Sequence, residues 1–316
     1  MADPIRLSIV IVNWNVRVLL RACLLSLRQS ISMRRDPWEV IVVDNASSDG
    51  SVEMVRAEFP DIVVIDNPNN VGFAAGCQLG YERSHGEYVL LLNPDTEVPA
   101  GAIEQMMTDL IDNDRAAILG SRLTNSDGGF QRAAGGAFPT IANVAWNYLF
   151  LNRLLPARIA PPAVFLENDP PGVFKIDWVS GAALLFRRAA VGAEIFDPGY
   201  FMFGEDMALC ARMWRQGWTV LYSARQSILH HHGQSYRQQS SREVLETIYR
   251  GPRNFYRANH GPVSAIAYDA VLLIGYLLRW VFARALCLVR PNQGYDEIAR
   301  FSRNYVGVIL RSMVAR

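Results

Sequence analysis

The chain has 316 residues, of which 50% are hydrophobic and 19% are charged. At roughly 100–200 residues per domain, this length allows one large domain or two ordinary ones, and the composition excludes an intrinsically disordered chain. The 31 basic and 30 acidic residues leave a net charge of +1, which excludes a strongly basic nucleic-acid binder. We therefore expect no nucleic-acid partner.

The first ninety residues alternate between aliphatic runs and stretches of helical periodicity. The predicted strands cover residues 7–12, 38–43, 61–65 and 87–92, and the predicted helices cover residues 16–30, 48–58 and 73–83. This alternation predicts an α/β fold with a Rossmann-like, mostly parallel sheet and helices on both of its faces.

The rest of the chain changes character twice. Residues 121–175 are rich in Gly, Pro and Asn, and we interpret them as loops beside a cleft. The elements expected after residue 121 are a helix-like piece at 141–151, a strand at 178–188, a helix at 205–216, a short strand at 218–222 and a wholly helical pattern from 241 onward. The sequence therefore predicts an α/β domain over residues 1–240 and a helical C-terminal region over residues 241–316.

The cysteines and the N-terminal residues indicate the cellular compartment in which the protein works. No two cysteines form a CxxC pair, and each lies in an apolar or helix-like stretch: Cys23, Cys77, Cys210 and Cys287. Buried thiols of this kind are typical of a reducing compartment. The N-terminal residues lead directly into a strand pattern without the features of a signal peptide. We expect a cytoplasmic protein, or one attached peripherally to the inner face of the cell membrane.

Polar residues follow each of the four N-terminal strands, at the edge where parallel sheets bind ligands. They are Asn13, Trp14, Asn15, Asp44, Asn45, residues 67–70, Asn93 and Asp95. The sequence has no GxGxxG after the first strand and no GxxxxGK[ST], so the usual dinucleotide and P-loop signatures are absent.

Two of these polar residues are carboxylates at the ends of buried strands, where they lose hydration unless they meet a donor or a cation. Asp44 suits an imide N–H, such as a pyrimidine base offers. Asp95 suits a hard divalent ion, which takes oxygen ligands and bridges diphosphate oxygens. Each has a structural alternative, a turn aspartate that caps the next helix.

Six motifs occur in order over residues 5–240: Val10-Ile-Val-Asn-Trp-Asn15, Val43-Asp-Asn-Ala-Ser-Ser-Asp-Gly50, Asn70-Val-Gly-Phe-Ala-Ala-Gly76, Leu92-Asn-Pro-Asp-Thr96, Phe203-Gly-Glu-Asp-Met-Ala-Leu-Cys-Ala-Arg212 and Ile228-Leu-His-His-His-Gly-Gln-Ser235. The set resembles the family-2 inverting glycosyltransferases of bacteria, above all the rhamnosyltransferase-like branch that builds surface polysaccharides. The resemblance implies a GT-A fold, a nucleotide-diphosphate sugar donor and a divalent metal, Mg²⁺ or Mn²⁺. It also implies transfer to a hydroxyl of a glycan or polyprenyl-linked acceptor. Rhamnose from its dTDP donor is an analogy within the branch.

The resemblance assigns the first three motifs to the nucleotide. Trp14 is implied to lie along the nucleobase, and Asp44 to accept from the imide of that base. Asn13, Asn70 and Gly72 are implied to lie near the nucleotide.

The resemblance assigns the fourth and sixth motifs to the metal. Asp95 is the last residue of the family's Asp-x-Asp motif, whose first position is Asn93 in this chain. The Asn93 amide offers a carbonyl oxygen to ribose or metal but brings no charge. By its spacing to the later Gly and Ser, His230 is implied to lie close to metal and diphosphate, whereas His231 and His232 are interpreted as packed or solvated.

Asp206 is implied to be the general base, which removes a proton from the acceptor hydroxyl as that hydroxyl attacks the anomeric carbon. The structural alternative is that Glu205 and Asp206 are first-turn helix residues favoured by the helix dipole. Many relatives have a further Asp two residues later, where this chain has Ala208.

The acceptor side has weaker signals. The candidates are Trp178, Ser180, Gly181 and Glu205, because an aromatic face suits the apolar side of a sugar ring. A core tryptophan is an equally good interpretation of Trp178. The segment Phe130-Gln-Arg132 resembles a donor-side segment of the family only faintly.

The C-terminal region has eleven arginines against five acidic residues, a balance of +6. Its apolar run, Ala270 to Leu278, is too short to span a bilayer, which takes about 20 residues. With Arg250, Arg253 and Arg257 preceding it, this region is predicted to lie on an anionic membrane surface. The alternatives are a helical lid on the catalytic domain or a dimer contact.

Other classes of function share parts of this pattern. A sugar-nucleotide pyrophosphorylase should have a Gly-rich loop with a basic residue after the first strand, where this chain has Val-Asn-Trp-Asn. A non-catalytic sugar-nucleotide-binding protein would have no reason to keep Asp95, Asp206 and His230 together. A processive polysaccharide synthase needs a Gln-x-x-Arg-Trp motif and several membrane spans, and the sequence shows neither.

Overall fold

The computed structural model describes residues 5–31, 37–231, 241–289 and 294–314. Within these residues the chain forms two compact units. The first unit comprises residues 5–138 and 165–231, and the second comprises residues 139–164 and 241–314.

The first unit is built on a mixed sheet. Its strands are β1 (Leu7–Asn13), β2 (Trp38–Asn45), β3 (Val63–Asn67), β4 (Tyr88–Leu92), β5 (Thr96–Glu97), β6 (Ala116–Thr124), β7 (Gly135–Gly136), β8 (Val173–Lys175), β9 (Trp178–Val179), β10 (Ala183–Arg187) and β11 (Thr219–His230). Aliphatic side chains fill β1, β2 and β4, and these strands are buried along nearly their whole length.

The main sheet of the described residues has the strand order β3-β2-β1-β4-β10-β6-β11-β5, and β8 also pairs with β11. The pairs β3–β2, β2–β1, β1–β4 and β6–β11 are parallel, whereas β10 runs antiparallel between β4 and β6. β7 and β9 form a separate antiparallel pair. The mostly parallel α/β sheet predicted from the sequence is confirmed.

Helices of the first unit connect these strands. They are α1 (Arg17–Ile31), α2 (Ser51–Glu58), α3 (Phe73–Arg83), α4 (Ala102–Ile111), α7 (Arg188–Val191) and α8 (Glu205–Arg215), where α5 and α6 belong to the second unit. Helix α3 packs against β1 and β2. Its approach to β1 requires Gly80, because a Cβ on that residue would lie 2.3 Å from a methyl group of Val10.

Two parts of the first unit differ from the sequence prediction. Helix α4 and the central strand β6 lie between residues 102 and 124, where the sequence predicts no helix or strand. The strand expected over residues 178–188 is interrupted, since β9 and β10 are separated by residues 180–182. This interruption lies at the candidate functional site.

The second unit is helical. Its helices are α5 (Ile141–Tyr148), α6 (Leu151–Leu154), α9 (Ser241–Val289) and α10 (Tyr295–Val314). Helix α9 is two helices joined at a kink, because Gly261 has φ 82° and ψ 172° and Pro262 follows it.

A cluster of tyrosines forms the core of the second unit. The rings of Tyr276 and Tyr305 stack with centroids 4.3 Å apart, and Tyr148 lies 5.5 Å from Tyr276. Because Tyr148 and Val144 join this core, residues 139–164 belong with the C-terminal helices. The division predicted at residue 240 therefore differs from the structure in this segment, although the helix-like piece predicted at 141–151 corresponds to α5.

A buried ion pair lies in α9. Asp269 is 0% exposed, and both of its carboxylate oxygens accept from Arg253 Nε, at 2.9 and 3.1 Å. Tyr249 donates to the same carboxylate at 2.6 Å. Arg253 is therefore not available to lipid phosphates, and the prediction that it forms a membrane-facing cluster with Arg250 and Arg257 is wrong. Asp269 follows Arg253 by 16 residues and lies beyond the kink, so helical spacing alone does not predict that the two residues pair.

The second half of α9 has an exposed apolar face, which we call the apolar stripe. Its members recur every three or four residues, and the exposed Arg284 borders them near the C-terminal end: Val263, Ile266, Ala270, Ile274, Leu277, Val281, Ala285 and Leu288. By length and composition alone, residues Arg242–Val289 are apolar enough to cross a membrane, with a window of mean hydropathy 1.8. Only 22% of that window is buried.

Candidate functional site

The ends of β1 and β2 are joined by side-chain hydrogen bonds. Asn13 Nδ2 donates to Asp44 Oδ1 at 2.7 Å, and the backbone N–H of Ser47 donates to Asp44 Oδ2 at 2.8 Å. Asp44 is 1% exposed and holds its own turn, but it does not cap the next helix, because α2 begins after Gly50 without a side-chain cap. Each carboxylate oxygen can accept a second bond. Asn13 Oδ1 is buried without a hydrogen-bond partner in the part of the chain that the structure describes.

The loop after β1 is tied to the loop after β2. Asn15, in the left-handed region with φ 54°, donates from its backbone N–H to Ser47 Oγ at 2.9 Å. Its side-chain oxygen accepts from the backbone N–H of Ser48 at 2.7 Å. The two serines therefore brace this loop pair, and α2 begins later than predicted, at Ser51. Trp14 is half-buried beside them.

The loop before α3 is shaped by Asn70 and Gly72. Asn70 Oδ1 accepts from the backbone N–H of Gly72 at 2.9 Å, and Asn45 Nδ2 donates to the carbonyl of Gly72 at 2.9 Å. Gly72 has φ 87°, and a Cβ on it would lie 2.6 Å from the ring and the carbonyl oxygen of Phe201. That carbonyl accepts from the N–H of Phe73 at 2.8 Å. Only glycine fits this backbone conformation and this close approach.

A second cluster lies at the ends of β4, β5 and β11. His230 Nε2 is 3.3 Å from Asp95 Oδ1 and 3.2 Å from Asn93 Nδ2. Asn93 and Asp95 come from the fourth motif and His230 from the sixth, more than 130 residues later. They meet because β11 pairs with β5, with His230 opposite Thr96.

Gln131 holds the other side of His230. Gln131 Oε1 is 2.9 Å from His230 Nδ1, and Gln131 Nε2 donates to the carbonyl of His230 at 2.6 Å. This role of Gln131 was not predicted from the sequence. The faint resemblance of the Phe130–Arg132 segment to a donor-side segment of the family is the only signal for it in the sequence. His231 contacts Ser126 Oγ and Glu97 Oε1, both at 2.8 Å, which agrees with a packed histidine. His232 and the later Gly and Ser of this motif lie outside the described residues.

The chemistry of this cluster fits a divalent cation held together with a diphosphate. Two ligands of one such ion lie about 3 Å apart, close to the 3.3 Å between Asp95 Oδ1 and His230 Nε2. Among the described residues no group of three or more His, Cys, Asp or Glu side chains surrounds a cation position. Among the described residues, the side chains that could bind a cation here are therefore Asp95 and His230, with the Asn93 amide beside them.

Asp206 lies in the first turn of α8. The preceding residues, Phe203 and Gly204, have φ 69° and 87°, and this turn starts the helix at Glu205. Asp206 Oδ1 accepts from the N–H of Met207 at 2.8 Å. Loss of hydration raises the pKa of Asp206 to about 6, although the backbone N–H groups of Met207 and Gly181 lower it.

Glu205 is more deeply buried than Asp206. It is 4% exposed, and burial together with the neighbouring charge of Asp206 raises its pKa well above the ordinary value. Its Oε2 has no hydrogen-bond partner among the residues described. Raised carboxyl pKa values of this kind are common at functional sites.

The interruption between β9 and β10 connects Asp206 to the second cluster. The backbone N–H of Gly181 donates to Asp206 Oδ2 at 3.2 Å. The carbonyl of the next residue, Ala182, accepts from the backbone N–H of Asn93 at 3.0 Å. Two adjacent backbone groups thus hold the carboxylate and the Asn93–Asp95–His230 cluster in a fixed relation. Ser180 Oγ accepts from Ala182 N at 3.2 Å and so shapes the same bend.

Trp178 does not present its ring to solvent. It is 3% exposed, it lies edge-on to Phe165, and its indole N–H donates to the carbonyl of Ala137 at 3.1 Å. The prediction of Trp178 as an acceptor platform is therefore wrong. The structure supports the core interpretation, because the buried ring packs on Phe165 and its N–H is already bonded within the unit.

The mostly parallel α/β sheet, with Asp206 and the Asn93–Asp95–His230 cluster near its strand ends, is a GT-A-like fold. The family model described as glycosyl transferase family 2 matches residues 8–166. The chain belongs to glycosyl transferase family 2. It is a glycosyltransferase, as the order of the motifs predicted, and the pyrophosphorylase alternative is excluded.

The similar proteins include rhamnosyltransferases. The N-acetylglucosaminyl-diphospho-decaprenol L-rhamnosyltransferase of Mycobacterium tuberculosis is 27% identical over 211 residues, covering 63% of this chain and 68% of the relative. The O-antigen chain rhamnosyltransferase WbaN of Salmonella anatum is 25% identical over 210 residues, covering 65% and 60%. The resemblance to the rhamnosyltransferase-like branch is thereby confirmed.

A solved structure shares the fold. It is the mannosyltransferase PcManGT from Pyrobaculum calidifontis in complex with GDP-Man and Mn²⁺, with a TM-score of 0.53 and 14% identity. The match covers 99% of this chain and 88% of that one.

Proposed function

We propose that the chain is an inverting glycosyltransferase that moves a sugar from a nucleotide-diphosphate donor to a hydroxyl of a polyprenyl-diphosphate-linked glycan. The observation that supports this most directly is the backbone link between Asp206 and the Asn93–Asp95–His230 cluster. It sets a carboxylate of raised pKa beside a site suited to a diphosphate. An inverting transfer needs these two features next to each other.

The donor nucleotide is assigned to the loops that follow β1, β2 and β3. Trp14 offers a half-buried aromatic face for a base, and Asp44 can accept one further hydrogen bond from an imide. The buried Asn13 Oδ1, which lacks a partner among the described residues, is a second acceptor at the same place. Asn70 and Gly72 shape the loop along which the nucleotide would lie.

The diphosphate is assigned to the second cluster. Asp95 and His230 would hold Mg²⁺ or Mn²⁺, with the Asn93 carbonyl oxygen directed to the ribose or the same ion. A divalent ion bound there neutralises the charge of the leaving diphosphate.

Asp206 acts on the acceptor. Its ionised carboxylate takes the proton of the acceptor hydroxyl while that oxygen forms a bond to the anomeric carbon. The bond from the anomeric carbon to the diphosphate oxygen breaks on the opposite face, and the nucleoside diphosphate leaves with the electron pair. Gly181 and Met207 hold the carboxylate in place through their N–H groups. Buried Glu205, directly beside it, is assigned to the acceptor side.

The proposed substrates are assigned by similarity to related proteins. We assign an L-rhamnosyl nucleotide as donor and N-acetylglucosaminyl-diphospho-polyprenol as acceptor, by similarity to the mycobacterial protein. Incubation with dTDP-L-rhamnose, this acceptor and Mn²⁺ should yield a lipid one deoxyhexose heavier, detected by mass spectrometry. The new bond should have the opposite anomeric configuration to the donor. GDP-mannose serves as the control donor. Transfer only from another nucleotide sugar would overturn the donor, and transfer only to a water-soluble glycan would overturn the acceptor.

The second unit is proposed to rest on the cytoplasmic surface of the membrane. The apolar stripe supports this, because Val263 and Leu288 at its two ends are 77% and 85% exposed. A lipid-linked acceptor also lies in the bilayer, so attachment brings enzyme and acceptor together. The opposite face of α9 is occupied by α10 and by the Arg253–Asp269 pair, which favours a helix lying in the surface.

We expect the protein to sediment with liposomes and to lose most of this binding when Ile274, Leu277 and Val281 all become Gln. Binding to anionic liposomes should weaken further when the exposed Arg250 and Arg257 become Gln. The loss should be larger at low salt, where charge contributes more to binding. The control is Val18→Gln, which removes an exposed apolar side chain from the first unit. If the triple variant sediments with liposomes as well as wild type does, the membrane assignment is wrong. If the protein is a dimer that does not bind liposomes, the apolar stripe contacts a second copy of the chain instead. Resistance to extraction at high pH would indicate a helix that crosses the bilayer.

A further inference from the structure

We propose that Gln131 is a positioning residue that fixes the tautomer of His230, so that the Nε2 lone pair faces Asp95. The use of that lone pair for a cation rests on the proposed function. The tautomer itself follows from the hydrogen bonds of this cluster.

The orientation of the Gln131 amide is set by two backbone carbonyls. One terminal atom of this amide lies 2.6 Å from the carbonyl oxygen of His230 and 3.5 Å from that of Thr124. Carbonyl oxygens only accept hydrogen bonds, so this atom is the NH₂ nitrogen. The other terminal atom is therefore the amide oxygen.

The amide oxygen in turn determines where the imidazole proton lies. Gln131 Oε1 is 2.9 Å from His230 Nδ1, and because an amide oxygen only accepts, Nδ1 must donate. A neutral imidazole has one N–H, so His230 Nε2 carries a lone pair. Asn93 Nδ2, 3.2 Å away, can donate to that lone pair.

This tautomer has a consequence at Asp95. The Nε2 lone pair and the carboxylate oxygen Oδ1 lie 3.3 Å apart and both offer electrons to the space between them. In the neutral imidazole two such groups repel unless a proton or a metal cation lies between them. A hydrogen bond to the remote nitrogen of a ligating histidine is the usual way in which proteins orient that ligand.

Gln131 is itself held firmly. It is 7% exposed, its backbone N–H donates to the carbonyl of Leu123 at 2.9 Å, and the preceding Phe130 forms a bridge with Thr124. A buried, doubly anchored amide can impose an orientation on the ring, whereas an exposed glutamine could not.

The test uses Gln131→Met, which keeps the length of the side chain and removes both hydrogen bonds. ¹⁵N spectra of histidine-labelled, metal-free protein at pH about 8.5, where ordinary imidazoles are neutral, report the tautomer directly. The chain has five histidines, and the His230→Asn variant assigns the signals. Wild type should show protonated Nδ1, and Gln131→Met should show a mixture with protonated Nε2.

The second measurement is Mn²⁺ affinity, followed by the electron paramagnetic resonance of free Mn²⁺ in the presence of dTDP. Gln131→Met should bind Mn²⁺ about 10–100-fold more weakly than wild type. Gln105→Ala, which removes a glutamine that contacts Asp109, should bind as wild type does. Thermal unfolding checks that each variant folds, and Gln131→Glu, which keeps an acceptor for Nδ1, should retain the wild-type tautomer if Met disturbs the fold.

The two proposals fail in different ways. An unchanged tautomer in folded Gln131→Met overturns the present inference whether or not metal binds. Wild-type protein that binds no Mn²⁺ with dTDP overturns the metal assignment of the proposed function.

Discussion

Replacing Asp206 with Asn is expected to lower kcat by about 10²-fold or more, the usual scale for loss of a general base. The substitution keeps the size of the side chain and one acceptor oxygen, but the amide cannot take the proton of the acceptor hydroxyl. Affinity for the donor should change little, because Asp206 contacts Gly181 and Met207 and none of the residues assigned to the nucleotide. Initial rates and donor binding, measured separately, test this.

The pH profile gives an independent measure of the same residue. A base must be ionised to act, and the pKa of Asp206 is raised to about 6, so wild-type kcat should fall as the pH drops through about 6. The residual rate of Asp206→Asn should lack this acid limb. Asp197→Asn is the matched control, since Asp197 accepts from the N–H of Gly199 and an asparagine oxygen preserves that bond. Near-normal transfer by Asp206→Asn would remove this residue from the mechanism.

Replacing Asp95 with Ala is expected to reduce transfer at least about 10²-fold, on the scale of losing one preorganised electrostatic group. Excess chelator should abolish the activity of wild type, and Mg²⁺ or Mn²⁺ should restore it. Asp95→Ala should mimic the chelator and should also fail to bind Mn²⁺ in the presence of dTDP. Asp95→Asn, which keeps an oxygen ligand without the charge, should need more metal for half-maximal activity.

The control for this series is Asp61→Ala, which removes an exposed carboxylate that pairs with Arg28 at the start of β3. It should leave both activity and Mn²⁺ binding unchanged. Full activity of wild type in excess chelator would contradict the metal role of Asp95 and of His230 together.

Those parts of the site that follow buried strands were predictable from the sequence. A strand of aliphatic residues followed by a polar one fixes which residue reaches the edge of the sheet, and Asn13, Asp44 and Asn93 lie where this rule puts them. Sequence order could not show that His230 lies beside Asp95. That contact depends on the pairing of β11 with β5, a long-range choice made by the whole sheet.

Gln131 and Trp178 show two different limits of prediction. A glutamine has no sequence signature for a positioning role, since its function comes from backbone carbonyls that the fold brings to it. A tryptophan near a Ser-Gly pair is equally consistent with a sugar platform and a core side chain. The hydrogen bond of the indole N–H shows that Trp178 is a core side chain. Its acceptor is the carbonyl of Ala137, which lies 41 positions earlier in the same unit.

The arginines of the second unit show a third limit. Their spacing correctly places Arg250, Arg253 and Arg257 on one helix, but it does not show that the middle one faces a buried carboxylate. Arg279, which interrupts the apolar run, likewise donates to the carbonyls of Asn147 and Tyr148. Charge counted along a helix therefore overstates the charge available to a membrane.

The second unit is discontinuous in the chain, and this affects how it can form during synthesis. Tyr148 leaves the ribosome 128 residues before Tyr276, the ring against which it packs. At about 5–20 residues per second, α5 waits roughly 6–25 s for its partner. During this interval Val144 and Tyr148 have no core to enter, while the later strands of the first unit, β8 to β11, are still being synthesised. A nascent chain arrested before residue 241 should therefore expose this helix to protease, and the completed chain should protect it.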